Sequence, residues 1–172
     1  MAKGKRGSAE GTMDQKCRAG LPAKFEEMFP RDEDLVLWEP QGSDQPYLLL
    51  TTEEYFDEVL DREYALVDKA ERQDLLRDAL GHMEYVRPDT AGRFVIPEKY
   101  HAKAGFDRGC RLLFLANRTY MEIWPLAVWR IWENNRRGAV SRFDYTPDPV
   151  RIAALDALEA APEAQLANEV SA

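Results

Sequence analysis

The chain has 172 residues, 45% hydrophobic and 31% charged, with a net charge of −8. That is the profile of a soluble globular protein with room for one domain or two small ones. Its apolar runs fall far short of the ~20 residues that a membrane span needs. MAKGKRGSAEG lacks the apolar core of a signal peptide, so a cytoplasmic location is expected. Cys17 and Cys110 are the two cysteines; they exclude a disulfide framework and are read as small packing residues.

Charge is unevenly spread. Residues 1–24 hold Lys3, Lys5, Arg6, Lys16, Arg18 and Lys24 against Glu10 and Asp14, a net of +4. Residues 144–172 hold Arg151 against six acids, a net of −5. A basic head on an acidic body serves either as a solubilising tag or as a contact for phosphate.

In chain order, residues 1–7 read as a basic arm and 8–50 as a first folded unit. There KRGSAEGTM, poor in apolar residues, leads into Asp14, a turn, Arg18 and a short strand stopped by Pro22. Residues 51–82 read as a helical connector. Phe56, Val59, Leu60, Val67, Leu75, Leu76, Ala79 and Leu80 recur at helical spacing, which predicts two helices with a bend whose apolar residues pack into the core. Residues 83–126 form a second unit. A strand leads to Asp89, and Gly92 supplies a left-handed turn residue. RFVIP is the next strand, and Pro97 ends it and opens the helix PEKYHAKAGF, which Gly105 stops. CRLLFLANRTYMEIW then predicts a hairpin turning at Asn117–Thr119. Residues 127–146 hold a helix and loop, with Leu126, Trp129 and Trp132 on one face. Residues 147–172 are an acidic, Ala-rich tail, read as one helix near 149–160 and otherwise disordered.

The chain repeats itself. Setting Asp14 on Asp89 also sets Arg18 on Arg93, Leu21 on Ile96, Pro22 on Pro97, Lys24 on Lys99 and Phe25 on Tyr100. The same alignment lays Leu35–Trp38 on the run that begins at Cys110. A shift of two residues lays PYLLLTTEEYF on TYMEIWPLAVW, with Tyr47 on Tyr120. Two copies of one design therefore fill most of the chain.

An Asp and an Arg four apart across a tight turn can face each other, the guanidinium fork meeting the carboxylate bidentately. One reading is a turn-locking ion pair worth ~0–1 kcal/mol. The other is an Arg held ready for a phosphate or a guanine. Recurrence in both copies, beside Lys16 and the basic head, favours the second. Enzymatic chemistry finds little support. His82 has Glu84 and Asp89 nearby in sequence, but no third orienting group is legible, and His101 stands apart. Neither a phosphate-cradling Gly-rich loop nor an HExxH pair is present. No catalytic residue, metal or cofactor is expected.

DQKCRAGLPAKF and DTAGRFVIPEKYHAKAGF resemble the two Asp-x-x-x-Arg motifs of the MraZ family, and ALGHMEYVRPDTAGRFVIP, with its Gly81-His82 step, is especially similar. The resemblance covers roughly residues 7–137. It implies an α+β fold, a duplicated AbrB-like (AbrB/SpoVT-type) swapped-hairpin β-barrel with peripheral helices, assembled into a ring-shaped homo-oligomer. It implies a DNA-contacting face built from Asp14, Arg18, Asp89 and Arg93, with Lys16 beside the first pair. The implied partners are double-stranded DNA, as repeats in the promoter of the division and cell-wall gene cluster, and an rRNA methyltransferase; the implied location is the nucleoid. Cys17 stands where the family usually has Gly, so the first hairpin is expected to be looser or to use another turn. Ala91 stands where Lys is common, leaving Arg93 as the second cation, with Arg87 near. One subunit then grips DNA weakly and salt-sensitively, and a ring compensates through avidity. The alternative is an oligomeric scaffold that modulates a protein partner without binding DNA.

Overall fold

The computed structural model describes residues 5–40 and 46–136; the tail from 147 and the helix expected near 149–160 lie outside them. Its class is α+β: an antiparallel sheet, a small second ladder and a few helices. Among the described residues eight strands run in chain order as β1 (Arg6–Thr12), β2 (Arg18–Gly20), β3 (Leu35–Trp38), β4 (Leu48–Thr52), β5 (Met83–Val86), β6 (Arg93–Val95), β7 (Arg111–Asn117) and β8 (Tyr120–Pro125). The helices are α1 (Glu53–Leu66), α2 (Lys69–His82), α3 (His101–Ala104) and α4 (Leu126–Asn135). Among the described residues no helix is long and apolar enough to cross a membrane.

Six strands form one antiparallel sheet in the order β1-β7-β8-β4-β3-β5, and β2 pairs with β6 alone. Exchanging β1–β4 for β5–β8 returns the same order read backwards. Each hairpin, β3-β4 and β7-β8, takes its outer partner from the other half of the chain: β5 beside β3, β1 beside β7. The centre is β4 on β8, Leu50 opposite Met121. One core therefore draws on both halves, with Met13, Phe25, Leu35, Phe94, Ile96, Phe106 and Phe114 almost completely buried.

The ladders revise one alignment. The burial pattern of β3, three buried residues and then a half-buried one, recurs in β7 from Leu112 rather than from Cys110. The second half spends two more residues between its proline and this strand, on the turn at Glu98–Tyr100, α3 and the left-handed Gly105 at φ 72°.

Strand β1 is poor in apolar residues because it is an edge strand: it supplies a seven-residue backbone ladder to β7, and of its side chains Ala9 packs against the core. Gly11 is required there, since a Cβ at that position would stand 2.8 Å from the Phe114 ring. β1 begins at Arg6, inside the stretch read as an arm.

The two connector helices divide at Val67-Asp68 because each has its own cap. The Thr52 hydroxyl accepts from the N–H of Tyr55 (3.3 Å), and Asp68 Oδ1 accepts from Ala70 and Glu71 (2.8 and 3.0 Å). Their apolar residues do not enter the core as expected. Phe56 alone is buried, edge-on to Trp38 with ring centroids 5.4 Å apart, and α2 buries nothing. Leu66 and Leu80 are exposed. The main core is assembled from strand, helical-turn and loop residues of both halves and includes none from α1 or α2.

Candidate nucleic-acid interface

Both Asp-Arg turns are three-residue hairpin loops with a left-handed closing residue, a β-turn followed by a bulge. In the first, the N–H of Asp14 bonds the carbonyl of Arg18 (2.9 Å) and the N–H of Cys17 bonds the carbonyl of Asp14 (3.0 Å). In the second, Asp89 and Arg93 pair at 2.8 Å, and Gly92 reaches Asp89 at 2.9 Å. The closing residues are Cys17 at φ 61° and Gly92 at φ 73°. The first turn is thus neither looser nor of another type. Cys17 accepts the strained conformation, at a cost of order 1 kcal/mol, while its side chain is buried in the core.

Asp occupies the first position because its carboxylate ties the turn together. Asp14 Oδ1 accepts the N–H groups of Lys16 and Arg18 (2.8 and 2.9 Å), and Asp89 Oδ1 accepts those of Ala91 and Arg93 (both 2.9 Å). With Oδ1 spent on backbone, the guanidinium takes the other oxygen alone. Nε and Nη2 of Arg18 both lie 2.8 Å from Asp14 Oδ2, and those of Arg93 lie 2.9 and 2.8 Å from Asp89 Oδ2. This is a one-oxygen clamp rather than the two-oxygen fork expected. It leaves Nη1 of both arginines without a partner among the described residues. The backbone N–H of the arginine, foremost, holds each carboxyl below its usual pKa, so both aspartates are ionised near neutrality with their charge largely compensated.

The turns are not separate. β2 and β6 run antiparallel, with Arg18 opposite Val95, Ala19 opposite Phe94 and Gly20 opposite Arg93. The N–H of Leu21 bonds the carbonyl of Gly92 (2.8 Å), and the N–H of Ile96 bonds the carbonyl of Cys17 (2.9 Å), so each turn's left-handed residue is stitched to the other half. Strand alternation sends Ala19 and Phe94 into the core, fully buried. It leaves Arg18, Gly20, Arg93 and Val95 on the opposite, solvent face. Arg18 is 29% exposed and Arg93 44%, with Val95 open between them. Lys16 is exposed at the tip of the first turn; its counterpart is Ala91. The structure therefore brings Asp14, Lys16, Arg18, Asp89 and Arg93 to one ribbon.

Other cations of the basic head are engaged elsewhere. Lys24 Nζ bonds the Ser8 carbonyl and lies 4.8 Å from the centre of the Phe25 ring. Its counterpart Lys99 bonds the Met83 carbonyl (2.9 Å) and lies over Tyr100. The repeated lysine thus staples the start of each half to its helical turn. Its recurrence was legible in the sequence; its target was not. Lys5 pairs with Glu27 and Arg6 with Asn117. Arg87 does not join the ribbon's cations: Asp34 holds it at 2.8 Å.

The histidines serve structure. His82 donates from Nδ1 to the Asp78 carbonyl (2.8 Å), and the His101 ring bonds the Ile96 carbonyl (2.9 Å). Glu84 pairs with Lys99 and Asp89 with Arg93, so neither acid serves His82. Buried Tyr100, where the first half has Phe25, donates to the carbonyls of His82 (2.7 Å) and Leu37 (3.2 Å); burial raises its pKa far above the usual tyrosine value.

Residues 79–143 match the family described as "MraZ protein, putative antitoxin-like". The chain is also similar to proteins named transcriptional regulator MraZ. That of Kocuria rhizophila is 29% identical over 135 residues, 78% of this chain and 90% of the relative. That of Bacteroides fragilis is 28% identical over 120 residues, covering 69% and 75%. That of Micrococcus luteus is 27% identical over 132 residues, covering 77% and 88%.

Proposed function

We propose that this chain, which belongs to the MraZ family, is a transcriptional regulator that grips double-stranded DNA with the β2-β6 ribbon, Arg18 and Arg93 making the contacts. The observation that carries this reading is the stitching of the two Asp-Arg turns into one ladder with both arginines on its solvent face. A two-stranded ribbon fits the ~12 Å major groove. Each aspartate locks its arginine by Nε and Nη2 and leaves Nη1 to donate to a phosphate or to guanine. Because four donors compensate each carboxylate, the aspartates orient the cations with little repulsion of DNA.

The palindromic strand order supports two interleaved swapped-hairpin units of the AbrB/SpoVT type, residues 8–50 and 83–126, joined by the connector 51–82. Lys16, Arg18 and Arg93 are few cations for one subunit, so binding by a monomer is weak. A ring of subunits that engages successive promoter repeats of the division and cell-wall gene cluster raises avidity ~10²–10⁴-fold. The protein then acts at the nucleoid.

The test is binding to the DNA upstream of its own gene by Arg18→Ala, Arg93→Ala and the double variant across a salt series. Each lost phosphate contact reduces the slope of log K against log salt by about 0.9, so the double variant is expected to fall by about twice that. Unchanged affinity and slope in the double variant would sink the proposal. A second reading, a scaffold for a protein such as an rRNA methyltransferase, is favoured by the open groove lined by Asp32, Glu33, Asp34, Glu53, Glu54 and Asp57 together with Arg87, whose excess of carboxylates repels DNA and suits a basic partner. Co-purification of such a partner with no DNA shift at low salt would support it.

A further inference from the structure

We infer that Val95 gives the ribbon a base preference, an inference that rests on the β2-β6 ribbon entering DNA: its isopropyl group packs on the 5-methyl group of a thymine in the major groove, beside the place that Arg18 grips. Val95 is 52% exposed, and of the large apolar residues exposed among those described it alone lies on the ribbon. Its neighbours Phe94 and Ile96 are buried, so strand alternation turns Val95 to solvent. Arg18 stands opposite it on β2, and Arg93 lies two residues before it on β6. An apolar group thus projects from between the two cations.

The fold itself does not call for a side chain here. Exchanging the two halves puts Gly20 in the place of Val95, since Arg18 faces Val95 and Arg93 faces Gly20. Nothing forces glycine at that equivalent place: an added Cβ would meet nothing nearer than Arg93 Cγ at 4.0 Å. The two arginines therefore occupy one diagonal of the ribbon face, and the isopropyl group and bare backbone occupy the other. The arginines alone make the face nearly symmetric, and where they meet phosphate they carry no sequence information. Val95 breaks that symmetry. It has no polar side-chain atom with which to read a base edge, and the thymine methyl is the apolar group that a base pair presents in the major groove. Directly opposed residues of a ladder have Cβ atoms ~5 Å apart, against a rise of ~3.4 Å per nucleotide along a DNA strand. The thymine is accordingly one or two steps from the group that Arg18 reaches.

The experiment uses the full chain and the DNA upstream of its own gene, made either with thymine or with deoxyuridine throughout, which removes the methyl groups and keeps the pairing. The wild type is expected to bind the uracil duplex at least about fourfold more weakly, the effect of one buried methyl group. Val95→Ser changes an exposed position and so leaves the core intact, which circular dichroism checks. It is expected to bind the thymine duplex about fourfold more weakly, to bind both duplexes alike, and to keep the wild-type salt slope because no charge is lost. Equal binding of the two duplexes by the wild type overturns the inference, provided that Arg18→Ala/Arg93→Ala still loses affinity and slope. A thymine preference that persists undiminished in Val95→Ser also overturns it; an altered native mass of that variant would then assign Val95 to a contact between copies. If the double arginine variant binds as the wild type does, the ribbon reading itself fails, and the role of Val95 with it.

Discussion

The turns at 14–18 and 89–93 make the same hydrogen bonds at the same atoms, yet differ at three of the residues that build and support them. Cys17 replaces Gly92 at the left-handed position, Lys16 replaces Ala91 at the tip, and Phe25 replaces Tyr100 beneath. The turn depends on backbone geometry and on one carboxylate, so it accepts a cysteine at the left-handed position, here with its side chain buried. What varies is the support each half draws from its surroundings. The first half contributes the extra cation; the second contributes the large core residue Phe94 opposite Ala19, and the hydroxyl that ties its helical turn to β3.

Four changes test this division, in decreasing order. Phe94→Ala removes the large side chain that β6 sends into the core, and its cross-strand partner Ala19 cannot fill the space; a loss of about 3–5 kcal/mol in urea unfolding is expected. Tyr100→Phe makes the two halves alike and leaves the carbonyls of His82 and Leu37 without that donor; a loss of about 1–2 kcal/mol is expected in the same measurement. An unchanged urea midpoint would mean that the hydroxyl contributes nothing that Phe25 lacks. Gly92→Cys copies the first turn onto the second and costs about 1 kcal/mol. There the new Cβ meets Glu26 Oε1 at 3.4 Å. Equal stability of this variant and the wild type would show that the context of the turn, rather than its φ, sets the cost.

The smallest effect is one of pH. Both aspartates have a lowered pKa in the folded state, so the unfolded chain binds protons first as acid is added. Their contribution is complete above the unfolded value of about 3.9 and is lost as pH falls through the lower folded values. The stability gap between the wild type and Asp14→Asn/Asp89→Asn is therefore expected to be constant near neutrality and to shrink below about pH 4. A gap that widens in acid would mean that the carboxylates are not stabilised by these bonds.

Much of the local structure was legible. The recurrence of Asp, Arg, Pro and an aromatic at fixed separations marked both turns and the strands that follow them. Gly105 marked a helix end, and the connector's spacing marked two helices. Its burial was not legible, because helical periodicity identifies a face but not whether anything covers it. Arg87 was placed near the second motif by its position in sequence, yet Asp34, 53 residues away along the chain, holds it. Lys24 counted as part of the basic head and turned out to be a staple.

By itself, then, the sequence determined the repeated turns, the residue types at their corners and the resemblance those carry, since such features depend on the conformational preferences of a few neighbouring residues. Tertiary structure alone decided that β1 pairs with β7 and β3 with β5, that β2 and β6 meet, and that Arg18 and Arg93 consequently share a face. Strand partners are chosen by which apolar surfaces can be buried together across the whole chain, and no local stretch carries that choice.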